Sequence, residues 1–106
     1  MIKPVDFFKA LSDPTRFDLV MLVARHQALC VCDLTEQLQL SQPKISRHLA
    51  LLRQTSILAD HRRGQWVYYS LHPDLPTWAH DIIGRLNSES VVADFVPQGC
   101  GPNTHD

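Results

Sequence analysis

Apolar residues recur along this chain with helical spacing in its first half and again near its end. Over residues 4 to 11, Val5, Phe8 and Leu11 are spaced along one side, which predicts a short helix. "SDPTRFDLVMLVAR" then carries a helix start, with Ser12 or Asp13 as the cap and Pro14 in the first turn, where its missing N–H costs nothing. Phe17, Val20, Met21 and Ala24 make one stripe, and Leu19, Leu22 and Val23 widen it, so this helix is expected to be nearly enveloped. "DLTEQLQL" reads as a short helix, with Leu34 and Leu38 one turn apart and Asp33 near its positive end. Ser41 is placed to cap the next helix, and Pro43 is tolerated in its first turn. There Ile45, Leu49 and Leu52 fall at i, i+4 and i+7 and face the core, while Arg47 projects oppositely between Lys44 and Ser46. Two helices joined by a tight link, the second basic and outward-facing, form a helix-turn-helix pattern.

The period changes in "ILADHRRGQWVYYSL". Val67, Tyr69 and Leu71 alternate with Trp66, Tyr68 and Ser70, and Arg63-Gly64 marks a turn between two strands. The hairpin carries Arg62 and Arg63 near its tip, which makes it a basic wing. "LPTWAHDIIGRLN" returns to helix, with Trp78, Ile82 and Leu86 at i, i+4 and i+8. So apolar a final helix, together with spare aromatics on the first, predicts packing against a second copy of the chain. The expected fold is mainly α with a small β-hairpin, a winged helix-turn-helix dimerising through its first and last helices. Residues 1–90 form that domain, and 91–106, which include the Pro- and Gly-rich "PQGCGPNTHD", form a flexible tail.

Composition narrows the class. At 106 residues the chain is one domain, and a hydrophobic fraction of 44% is ordinary for a globular protein. No apolar run approaches the roughly 20 residues of a membrane-spanning helix, so no membrane partner is expected. "MIKPVDFF" includes an acidic residue and lacks a long apolar segment, unlike a secretory signal. A cytoplasmic location is expected, with the three cysteines as thiols. The net charge of -1 conceals an uneven distribution: residues 41 to 65 hold Lys44, Arg47, Arg53, Arg62 and Arg63 against Asp60 alone, a surplus of +4. The other 5 basic residues face 10 acidic ones, a balance of -5. A basic patch on an acidic body still steers toward phosphates.

The order of "LSDPTR", "LCVCDL", "LSQPKISRHLALLR", "GQWVYYSL" and "LPTWA" resembles the ArsR/SmtB family of metal-responsive repressors, and more narrowly the arsenical-resistance operon repressors of enteric and related bacteria. The similarity covers nearly all of residues 4 to 86, and "CVCDL" joined to "SQPKISRHL" is its most specific part. The resemblance implies a homodimer that binds an inverted-repeat operator in double-stranded DNA without a cofactor. It also implies release when a thiophilic metalloid, arsenic(III) or antimony(III), binds as inducer.

The residues support each element separately. Gln42, Lys44, Ser46, Arg47 and His48 are the candidate DNA contacts of the recognition helix, and Ser41 stands near its N-terminus where phosphate is met. Gln42 and Arg47 have the bidentate geometry that reads bases. His48 lies nearer the core stripe, so internal packing competes with DNA contact there. Arg62 and Arg63 suit backbone or minor-groove contacts. Arg-rich helix and wing argue against a module with no DNA role.

Cys30 and Cys32 stand just before or within the first turn of the first helix of the motif, where the helix dipole is expected to favour thiolate. Residues i and i+2 of a regular helix point about 200° apart. Both thiols therefore reach one ion only if that turn is distorted, a conflict suited to a switch. The plainer reading makes them small buried apolar residues; the pair in this context favours the site. Enteric-type repressors often supply a third sulfur where this chain has Thr35, so an exogenous thiol, a weak oxygen or Cys100 of "GCG" remain as third ligand. His72, His80 and Asp81 do not match the spacing of the family's zinc-type site and read as surface residues. An oxidoreductase would present C-x-x-C after a strand, so an enzyme is not expected. A redox-sensing repressor using the same two cysteines is the alternative.

Overall fold

The computed structural model describes residues 2–89. Five helices and three short strands follow in the order α1 (Pro4–Leu11), α2 (Pro14–His26), β1 (Leu29–Cys30), α3 (Val31–Leu38), α4 (Gln42–Gln54), β2 (Leu58–Arg63), β3 (Trp66–Leu71) and α5 (Thr77–Ser88). The tail expected at 91–106 lies outside the described residues. No helix among those described is long and apolar enough to cross a membrane.

Asp13 caps α2, its carboxylate accepting the Arg16 N–H at 3.0 Å, and Pro14 fills the first turn. Leu19 through Val23 are all buried, so α2 is the enveloped central helix that its wide stripe predicts. The α3–α4 pair carries the helix-turn-helix. Gln39 ends α3 in the left-handed region (φ 57°), which turns the chain sharply toward Ser41. The Ser41 hydroxyl accepts the Lys44 N–H at 3.4 Å, and Ile45, Leu49 and Leu52 are fully buried.

Strands β2 and β3 form the wing, paired antiparallel from Leu58↔Leu71 to Arg63↔Trp66. The turn is Gly64-Gln65, one residue later than Arg63-Gly64, because Arg63 still pairs; Gly64 takes the positive φ (63°) that primed hairpin turns need. The simple alternation also fails, since Tyr68 and Tyr69 are both buried. Tyr69 belongs to the helical core, whereas Tyr68 faces the other way and is covered by side chains of the wing itself. A third strand was not anticipated: β1 joins the far edge of β3, giving the order β1-β3-β2.

Both outer helices are rotated relative to the expected stripes. On α1 the buried residues are Phe7 and Ala10, while Val5 and Phe8 are 70% and 53% exposed. On α5 Ala79 and Ile83 are buried, and Trp78, Ile82 and Leu86 are half-buried against the core edge. Phe7 meets the Trp78 ring edge-on at 5.2 Å, which brings α1 and α5 into contact.

Candidate functional site

The outward surface of α4 begins at its capped N-terminus. Ser41, Gln42, Lys44 and Arg47 are exposed, and Ser46 is half-buried. Ser41 spends one lone pair on the cap and keeps an exposed position beside the free N–H groups of the first turn. His48 is half-buried on the flank facing α2, with Nδ1 3.5 Å from the Arg16 Nη1. That guanidinium is itself anchored, its Nε donating to the Ala10 carbonyl at 2.8 Å. Of the basic residues counted along 41 to 65, Arg53 is paired with Asp60 at 3.4 Å, and Lys44, Arg47, Arg62 and Arg63 are all exposed.

On the wing, Arg62 and Arg63 are exposed and point to opposite faces of the sheet. Arg63 lies over the Tyr68 ring, 5.5 Å from its centroid, and His61 stacks on that same ring at 5.8 Å. His61 was missed by the sequence reading; its signal was the two-residue spacing from Arg63, which puts both on one face.

Cys30 ends β1 in an extended conformation (φ −82°, ψ 163°) and is the N-cap residue of α3; Cys32 sits in the first helical turn. The pair therefore straddles a strand-to-helix junction, and the opposition expected of two residues inside a helix does not arise. Cys30 is 1% exposed and disulfide-bonded, not the free thiol expected of it, whereas Cys32 is a half-buried free thiol. Both line one cleft of about 360 Å³, together with Gln42 at the start of α4 and Gln65 and Trp66 of the wing. Gln65 and Trp66 are further residues that the sequence reading did not assign to the site. The Asp33 carboxylate, buried in the first turn, accepts the Cys30 N–H at 3.4 Å. The Thr35 hydroxyl donates to the Cys32 carbonyl at 2.9 Å and is thus occupied by the helix backbone.

Electrostatics at Cys32 run opposite to the expected thiolate. Burial pushes its thiol up, and the Asp33 charge adds to this; its own backbone N–H pulls down, and Glu36 raises it again. Among the described residues no three His, Cys, Asp or Glu side chains converge to hold a metal ion, so the cleft offers two sulfurs. Cys100 lies outside the described residues. The two sulfurs are soft donors, which suit a thiophilic ion.

The family model described as "Bacterial regulatory protein, arsR family" matches residues 13–58. The "Arsenical resistance operon repressor" of Escherichia coli is 44% identical over 103 residues, covering 92% of this chain and 88% of that one. This chain belongs to the arsR family.

A second relative of this arsR-family chain, the "Arsenic resistance transcriptional regulator ArsR1" of Pseudomonas putida, is 58% identical over 78 residues. That match covers 74% of this chain and 61% of the relative's length. Among solved structures, reduced HlyU from Vibrio cholerae superposes with a TM-score of 0.73 at 28% identity, covering 82% of this chain and 87% of that one. The "AntR antimony-specific transcriptional repressor" gives 0.66 at 27% identity, covering 81% and 78%. The arsR-family fold is thus a winged helix, and the protein is a DNA-binding transcriptional repressor rather than an enzyme.

Proposed function

We propose that this repressor acts in the cytoplasm as a homodimer on an inverted-repeat operator, and that arsenic(III) or antimony(III) held by its thiols releases it. In this reading α4 enters the major groove, where Gln42 and Arg47 meet base edges. Ser41, Lys44, Ser46 and His48 support that helix on the backbone, and Arg62 and Arg63 of the wing meet phosphate or minor groove.

One observation carries the coupling: Cys30, Cys32, Gln42 and Trp66 line a single cleft. A group held by the two sulfurs stands against the first residue of the recognition helix and the turn end of the wing together. Cys32, and Cys30 once its disulfide is reduced, supply two thiolate donors, and the pyramidal preference of trivalent arsenic for three soft donors leaves the third to Cys100 or a small thiol. The names of the relatives, which include two arsenic-resistance regulators and an antimony-specific repressor, support the same ligand class.

The test is operator release. Cys30→Ser/Cys32→Ser should bind the operator with nearly wild-type affinity and remain bound at arsenite concentrations that free the wild type. A double variant that still leaves DNA at those concentrations would overturn the proposal.

A further inference from the structure

The three-stranded sheet puts Cys30, Tyr68 and His61 in one cross-strand row, with Arg63 in the next row on the same face. Residues directly opposite in antiparallel pairs present their side chains on the same face. Cys30 is paired with Tyr68 across β1–β3, and Tyr68 with His61 across β3–β2. In the adjacent row Trp66 is paired with Arg63, again on that face. Arg62, paired with Val67, points the other way.

Tyr68 is the centre of this arrangement. Its ring is 7% exposed, stacks with His61, and carries the Arg63 guanidinium at 5.5 Å, within cation–π range. Its buried hydroxyl has no hydrogen-bond partner among the described residues. Packing rather than a hydrogen bond of the hydroxyl therefore sets the ring's position, so a shift at its close-packed neighbours is transmitted to it.

We propose that Tyr68 is a positioning residue: its ring seats Arg63 for contact with DNA, and its place opposite Cys30 makes that seat sensitive to the state of the thiol site. The inference rests on the thiol-gated reading for its second half only. Arg63 is then a contact that the inducer-bound protein loses through the wing, and Arg62, on the other face, is not.

Two sets of operator-binding measurements on the full chain test this. Without arsenite, Arg63→Ala should weaken binding about two- to fivefold, Tyr68→Leu should do the same, and the double variant should be no weaker than Arg63→Ala alone. Tyr68→Phe, which keeps the ring, should match the wild type. With arsenite, the fold-weakening seen in the wild type should be retained by Arg62→Ala and reduced about two- to fivefold in Arg63→Ala. Fully additive losses in the double variant, or equal arsenite responses of the two arginine variants, would overturn the inference. The arginines are exposed at the wing tip, so their comparison stands even where Tyr68→Leu fails to fold. A wild type indifferent to arsenite would instead sink the thiol-gated reading, and the arsenite-free set would still decide the seat of Arg63.

Discussion

The Asp33 carboxylate folds back on Cys30, its Oδ2 accepting the Cys30 backbone N–H at 3.4 Å and lying 3.2 Å from the sulfur. This reciprocal contact closes the start of α3 where the chain leaves the sheet. Asp33→Ala removes a helix-end partner and should cost about 1–2 kcal/mol of stability. Urea unfolding measures it, and an unchanged midpoint would mean that the contact contributes nothing to the junction.

Cys32 should be a slow nucleophile at neutral pH. Burial first, then the Asp33 and Glu36 charges, hold its proton more tightly than an ordinary thiol's. A raised folded-state pKa means that this group's contribution to stability is present below the ordinary thiol pKa and lost as pH rises through the folded value. Ligation by Cys32 likewise displaces a proton, so metalloid affinity should rise with pH. Alkylation followed by peptide mass mapping should show Cys32 reacting slowly at neutral pH and faster in alkali. Glu36→Gln should speed the neutral reaction by removing one charge that opposes the thiolate. No acceleration in that variant would leave the shift to burial and Asp33.

Val5 and Phe8 of α1 are exposed, and Trp78, Ile82 and Leu86 of α5 are half-buried. A second copy covering these residues would remove apolar area that a small domain leaves in water. Phe8→Glu and Ile82→Glu should each shift sedimentation toward monomer. Operator affinity should fall with it by about 100-fold or more, because two linked recognition helices gain avidity that one lacks. A variant that sediments as monomer yet binds a palindromic site as tightly as wild type would place the interface elsewhere.

The legible parts of the fold were those whose pattern is local. Ile45, Leu49 and Leu52 lie on a helix with one apolar and one polar side, so its core face could be read directly. The outer helices carry apolar residues on two sides, and spacing alone did not choose Phe7 over Phe8 or Ile83 over Ile82. Strand β1 is two residues long and exists only through its pairing with β3, a contact between distant segments that periodicity does not encode. For the same reason the cysteines could be located beside α3, but not the strand end that holds Cys30, the cleft shared with Trp66, or the burial and carboxylates that push the Cys32 thiol up.

The most direct measurement is the affinity of arsenite for the repressor free and bound to operator. Trp66 lines the thiol cleft and Trp78 does not, so a Trp78→Phe chain leaves one reporter of the site, excited beyond the DNA absorption. Linkage requires that operator weaken arsenite binding by the factor with which arsenite weakens operator binding. A factor of about 100, equivalent to ~2.7 kcal/mol of coupling, should appear in both directions. Equal arsenite affinity in the free and operator-bound forms would contradict thiol-gated release.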